Sequence, residues 1–290
     1  MTRRNLFALL TVVLFAGTTA SANLFLPESG SLADFLSLKP GIGLVTIEGT
    51  IADAREPVRQ LKWLEDNDLV RAILVRVDSP GGGVTPSHEI YAELVRIRDE
   101  GTPVVVSMGT LAASGGYYIS CPADVIVANP GTLTGSIGVI MEFPVLKEMM
   151  EKLGLGVEVI KSREHKDIGS PFRDMTERER ELLREVVVDV YDQFVGIVSA
   201  ERGLPEASVR EIADGRIFTG SKALEYGLVD TIGTFEDAKR IAADLGDIKG
   251  DPRIIKPRRR VRSWLYEFLE GAAVRIIGLP RFPRLAYIWH

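Results

Sequence analysis

Cysteine occurs once in the 290 residues, at Cys121, so the chain can form no intramolecular disulfide and no cysteine-based metal site. Histidine is almost as scarce. His88, His165 and His290 lie far apart, and neither an HExxH nor a CxxC spacing occurs, which argues against a metal enzyme. Both glycine-rich phosphate motifs, GxxxxGK[ST] and GxGxxG, are missing, and there is no exact internal repeat. A formal net charge of −5 argues against nucleic acid as a partner. What remains is core-forming material: 46% of residues are hydrophobic and 26% charged, enough for one large domain or two small ones.

Charge is also absent from Asn5 to Pro27, directly after Arg3 and Arg4. The strongly apolar centre, Leu6 to Gly17, suits a signal-peptide core, while the whole uncharged span could just cross a bilayer. Ala20-Ser21-Ala22 fits a small-x-small cleavage site. We expect residues 1–27 to be a retained membrane anchor, with export and cleavage as the alternative. Either way Arg3 and Arg4 keep the N-terminus inside and place the body outside the cytoplasm. At the other end, residues 256–290 carry eight Lys or Arg against Glu267 and Glu270. This basic, aromatic stretch, within a tail over 251–290, is expected to hold a short amphipathic helix lying on a membrane surface or a neighbouring subunit.

Between a polar linker (28–40) and that tail, residues 41–250 read as one α/β body. "GIGLVTIEGTI" is a buried strand, and Val58, Leu61 and Leu64 follow at helical spacing. "RAILVRVDSPGGGV" is a strand running into a glycine loop; "SHEIYAELVRIRDEG" is a helix, and "PVVVSM", "ADVIVANPG" and "GVEVI" are strands. These β-branched runs are too apolar to have a wet face, which predicts a mainly parallel sheet covered by helices. "TERERELLREVVVDVYDQFVGIVSAERG" predicts a long amphipathic helix with Thr176 as N-cap and Glu179 in the capping-box position. "DGRIFTGSKALEYGLVDTIG" predicts a strand or turn and a short helix, and "TFEDAKRIAADLG" a further helix.

The chemistry centres on "GTLAASGGYYIS", where Ser114 stands among alanines and glycines directly after an apolar strand. A strand, a tight small-residue turn and a helix would hold one hydroxyl at a sharp corner with backbone N–H groups nearby, as a nucleophile requires. Close packing of helix on sheet explains the small residues equally well. "DSPGGGV", Asp78 to Val84, offers amides that can approach a ligand without an intervening Cβ. With the Gly115 N–H, these amides are candidates for stabilising a tetrahedral oxyanion. For the general base, His88 reads as a surface or helix-terminal residue. "KSREHKDIGSPFRDM" offers Lys161 and Lys166, though a lysine acts as base only where burial and neighbours favour its neutral form.

"DSPGGGV", "GTLAASGGYYIS", "TGSIGV" and "EHKDIGSPFRDMTERER", in this order, resemble the signature segments of the short bacterial signal peptide peptidase A family. The resemblance spans roughly Gly41 to Leu245. It implies a Clp protease/crotonase-like fold, a Ser-Lys dyad of Ser114 and Lys166, and Ser136 orienting the lysine. Gly81, Gly82 and Gly115 match the oxyanion-hole region. It further implies no cofactor, hydrophobic peptide substrates, above all remnant signal peptides, and a homo-oligomeric ring on the inner membrane whose active sites are shared between protomers on its extracytoplasmic side. Three alternatives stand beside it: a Ser-Lys protease that processes a specific membrane protein, a crotonase-type acyl-CoA enzyme, and an inactive scaffold.

Overall fold

The computed structural model describes residues 39–257 and the backbone of residues 285–288. The anchor expected at 1–27, nearly all of the linker and the amphipathic helix expected in the tail lie outside the described residues. Among the described residues, no helix is long and apolar enough to cross a membrane.

In chain order the elements are β1 (Gly41–Glu48), α1 (Arg55–Glu65), β2 (Val70–Ser79), β3 (Gly81–Gly83), α2 (Val84–Asp99), β4 (Val104–Ala113) and α3 (Gly115–Tyr118). Next come β5 (Val125–Ala128), β6 (Leu133–Gly135), β7 (Ile140–Met141), α4 (Lys147–Lys152), a 3-10 turn (Glu164–Asp167), α5 (Glu177–Arg202) and α6 (Glu206–Ile212). The remainder are β8 (Ile217–Thr219), α7 (Gly220–Glu225), β9 (Thr231–Ile232), α8 (Phe235–Leu245), β10 (Arg253–Ile255) and β11 (Leu285–Ile288). The main sheet runs β10-β1-β2-β4-β5-β9, with every pair along it parallel. β6 also pairs parallel with β4, and β8 closes it antiparallel. The expected mainly parallel α/β body is what forms.

Alternation along the strands supplies both faces of this sheet. Ile73, Val75 and Val77 of β2 and Val104, Val106 and Met108 of β4 face a core that also holds Leu61, Ile90, Leu94 and Phe194. Ala72, Leu74 and Val105 face the other way, onto Ala238, Ala242 and Ala243 of α8. Neither face is left wet, which is why the strand sequences are apolar throughout. Helix α5 begins as its sequence predicts. Thr176 accepts from the Glu179 N–H, and the Glu179 carboxylate accepts from the Thr176 N–H.

One predicted strand does not form. Gly156–Ile160, "GVEVI", pairs with nothing among the described residues and stands exposed, with Ile160 at 96% accessibility. Its alternating valines give it β propensity, but the described residues bring no strand edge beside it, and propensity alone does not make a sheet.

Candidate active site

The parallel pairing brings the carboxyl ends of β2, β4 and β6 to one edge of the sheet, and each is followed within two residues by one singled out by sequence: Gly81, Ser114 and Ser136. β4 ends at Ala113, which pairs with Gly135 of β6. The next residue, Ser114, turns out of the sheet at φ 55° and ψ −117°. A non-glycine residue in that region costs on the order of 1–3 kcal/mol and persists only where its surroundings hold it. Those surroundings are specific. The Ser114 N–H donates to Gly135 O at 2.8 Å, and the Ser114 carbonyl accepts from the Tyr118 N–H at 2.8 Å.

The approach to this corner is braced by side chains. Between Val77 and Ser79 the β2–β4 register slips, because β4 carries extra residues there. Asp78 stabilises the bulge by accepting from the Leu111 N–H at 3.0 Å. Gly109 permits this, since a Cβ there would stand 2.7 Å from the Asp78 carboxyl. Thr132 donates to Gly109 O at 2.7 Å and Thr134 to Ala112 O at 2.6 Å. Beyond the corner, Ser120 donates to Gly116 O at 2.7 Å, and the Tyr117 hydroxyl to Leu228 O at 2.9 Å. Sequence reasoning missed Asp78, Thr132 and Thr134 as supports. Asp78 lies inside the glycine motif, and the threonines flank Leu133 at the spacing that puts both on one side of a strand.

The glycine segment lies directly against Ser114's helix. A Cβ on Gly115 would stand 3.1 Å from both Gly81 Cα and Gly82 N, and 2.7 Å from the hydroxyl of the buried Ser87. Gly81, Gly82 and Gly115 are therefore brought together. Their amides differ in what they are free to do. The Gly81 N–H donates to Ser79 Oγ at 3.1 Å, and the Gly83 N–H to Ile51 O at 2.9 Å. Gly81 O accepts from the Ile51 N–H at 2.8 Å. Peptide groups alternate along an extended segment, so the Gly82 N–H faces the opposite edge from Ile51. Gly115 heads α3, where the first N–H groups have no intrahelical acceptor.

Ser136 follows Gly135 as Ser114 follows Ala113, also at positive φ, 50°, with its N–H donated to Arg216 O at 2.8 Å. Lys166 lies elsewhere, exposed on the 3-10 turn Glu164–Asp167. Among the described residues its ammonium makes no hydrogen bond or ion pair, so the protomer does not join it to Ser114 or Ser136. Lys161, the other candidate, is engaged by Asp167 at 2.7 Å. Asp167 also accepts from Arg173, which reaches on to Glu179 at 2.6 Å. Arg173 holds the Glu179 carboxyl below the usual range, at about 2, with the Thr176 N–H assisting. Arg173 and Lys161 likewise depress Asp167. This cluster ties the turn that carries Lys166 to the start of α5.

His88 is exposed near the start of α2, as its sequence position suggests, with Nδ1 2.9 Å from the Tyr118 hydroxyl. Cys121 is fully buried, and burial pushes its thiol up to about 12, which leaves it inert. No group of metal-ligating side chains occurs among the described residues.

The sequence model of Peptidase family S49 matches residues 96–249, and that of Clp protease matches 42–126. A Synechocystis sp. protein provisionally named a protease is 44% identical over 217 residues, covering 74% of this chain and 78% of its own. An Enterococcus faecium protein provisionally named signal peptide peptidase SppA is 39% identical, covering 67% of this chain and 60% of its own. Protease 4 of Haemophilus influenzae is 32% identical over 88% of this chain, which spans 43% of that protein. Among solved structures, a ClpP1 mutant from Listeria monocytogenes superposes with a TM-score of 0.46 at 18% identity, covering 67% of this chain and 93% of that one. The S49 match extends over more than half of the chain and includes Ser114, Ser136 and Lys166, so the chain belongs to Peptidase family S49, a family of serine-type peptidases.

Proposed function

We propose that the chain is a membrane-associated serine endopeptidase in which Ser114 is the nucleophile, Lys166 the general base and Ser136 the group that orients the lysine. The observation that carries this reading is the corner at Ser114: a positive-φ serine at a strand end, whose next residue, Gly115, packs against Gly81 and Gly82. In the reaction, neutral Lys166 takes the proton from Ser114 Oγ as the oxygen attacks the scissile carbonyl. The oxyanion forms against the N–H groups of Gly82 and Gly115, while Gly81, bonded to Ser79, holds the loop in place. Each such donor is typically worth about 2.7–4 kcal/mol of barrier. The lysine then delivers its proton to the leaving amine and activates the water that hydrolyses the acyl-enzyme.

The separation of Lys166 from Ser114 within one protomer supports a site completed between protomers of a homo-oligomer. Lys166 lies on a segment that also exposes Val145, Leu153, Leu155 and Ile160, apolar side chains that a second copy would cover. The substrates are unfolded hydrophobic peptides, including remnant signal peptides. Residues 1–27 would hold the oligomer to the inner membrane with its catalytic bodies on the extracytoplasmic side.

The test is cleavage of fluorogenic hydrophobic peptides by the full chain in detergent, compared with Ser114→Ala and Lys166→Ala. Both variants should be inactive alone. Mixed and reassembled, they should regain activity if the site is shared. Activity surviving Lys166→Ala would remove the lysine from its role.

A further inference from the structure

The hydroxyl of Ser87 is left unpaired where its neighbours are not. Ser87 is fully buried, and among the described residues its Oγ and His165 Nδ1 are the only buried side-chain polar atoms with no hydrogen-bond partner. Four other buried hydroxyls around the serine corner are engaged. Ser79 donates to Gly49 O at 2.6 Å, Ser120 to Gly116 O at 2.7 Å, Thr132 to Gly109 O at 2.7 Å and Thr134 to Ala112 O at 2.6 Å. A buried hydroxyl without a partner destabilises the fold, so its presence calls for a reason.

Its orientation is not forced by the lack of an acceptor. Ser87 is the fourth residue of α2, and a serine inside a helix can bond the carbonyl four residues back, here Gly83 O. Ser87 Oγ makes no such bond. It stands instead 2.7 Å from the position that a Gly115 Cβ would take, and Gly82 N stands 3.1 Å from that same position. Helix α2 thus delivers an uncommitted O–H to the side of Gly115 on which the Gly82 amide also lies. Gly82 and Gly115 are the two residues whose N–H groups are proposed to meet the oxyanion.

We propose that Ser87 is a third donor of the oxyanion hole, a catalytic residue whose hydrogen bond is made only to the tetrahedral intermediate; this role rests on the peptidase reading. As Ser114 Oγ bonds to the scissile carbon, its proton passes to Lys166 and the π pair of the carbonyl becomes the negative charge on oxygen. The Ser87 hydroxyl hydrogen, free to rotate, turns onto that oxygen beside the N–H groups of Gly82 and Gly115. A donor with no protein partner beforehand gives up no hydrogen bond in doing so. Its bond to the oxyanion therefore counts in full toward the difference between ground and transition state.

Ser87→Ala in the full chain, in detergent, tests this and separates it from a structural role by sign. Removing an unpaired buried hydroxyl relieves a cost, so Tm should stay level or rise. For a fluorogenic peptide, kcat should nevertheless fall about 10²–10³-fold, as for the loss of one oxyanion donor, with KM nearly unchanged. A peptide aldehyde, whose carbonyl carbon bonds to Ser114 Oγ and whose oxygen then sits in the hole, should lose affinity by a similar factor. The carboxamide of the same peptide, which is not attacked, should bind parent and variant alike.

Unchanged kcat and unchanged aldehyde affinity in Ser87→Ala would overturn the proposal. So would a fall in kcat that comes with a lower Tm and with equal losses of affinity for aldehyde and carboxamide, the behaviour of a packing residue. The two levels of the reading fail differently. A parent chain that cleaves none of the peptides sinks the peptidase reading and this role with it, whereas an active parent beside an equally active Ser87→Ala sinks the role of Ser87 alone.

Discussion

Ser114 and Ser136 are neighbours across one rung of sheet: each comes one residue after the paired Ala113 and Gly135, and each holds positive φ, 55° and 50°. Among the described non-glycine residues only Asp247 shares that conformation. Two serines forced into it side by side, where glycine would fit without strain, imply that the hydroxyls are needed and the strain is tolerated for them.

Replacing either serine with glycine should therefore raise stability while removing function. The gain is about 0.5–2 kcal/mol, the relieved strain less glycine's greater unfolded-state entropy. That corresponds to a rise in Tm of a few degrees in a body of this size, by roughly 2–4 °C per kcal/mol. Calorimetry of Ser114→Gly and Ser136→Gly beside the parent measures it. A lower Tm in both would mean that the serine side chains support the corner instead of straining it.

Gly115→Ala should act in the opposite sense. The new Cβ would meet Ser87 Oγ at 2.7 Å and the Gly81–Gly82 backbone at 3.1 Å, so the glycine segment must move. Losing the alignment of one oxyanion donor lowers kcat by about 10²–10³-fold, and we expect a fall of that order with a modest drop in Tm. Gly131→Ala is the control, since its Cβ meets nothing within 4 Å. Equal activities in the two variants would place the oxyanion donors elsewhere.

How far the sequence disclosed this site depended on how local each signal was. The strand, glycine loop and serine corner were legible because β-branched runs, "GGG" and "ASGG" each dictate backbone shape over a few residues. The Thr176–Glu179 capping box was legible for the same reason. Asp78's support of the β4 bulge was not, because it depends on Leu111, 33 residues away, arriving beside it. "GVEVI" misled because its alternation suits a strand, and whether a partner edge exists is a matter of tertiary structure. The pairing of Leu285–Ile288 with a glycine segment about 200 residues earlier had no sequence signal, since glycine offers no side-chain pattern to match.

The Asp167–Arg173–Glu179 cluster should make the Lys166 turn sensitive to acid. Glu179 is held at about 2 against an ordinary value of 4.5, a depressed carboxylate. Its contribution is fully present above 4.5 and is lost as pH falls toward 2. Tm measured against pH for the parent and Glu179→Gln should differ by several degrees near neutrality and converge at the acid end. A difference constant with pH would mean that the charge on Glu179 does not support the turn.

The last expectation concerns the exposed arm. Val145 and Ile160 are 68% and 96% exposed, so lysine at either position displaces no core contact and should leave the protomer's Tm nearly unchanged. If this surface is where copies of the chain meet, burying two added ammonium groups there is costly, and Val145→Lys/Ile160→Lys should sediment as a smaller species than the parent. Activity should fall with assembly if, as proposed, Lys166 on the same arm serves Ser114 of a neighbour. The decisive observation is the joint behaviour. A variant that stays monomeric yet cleaves peptides at the parental rate would show that each protomer completes its own site, and the base would then have to be sought among residues closer to Ser114.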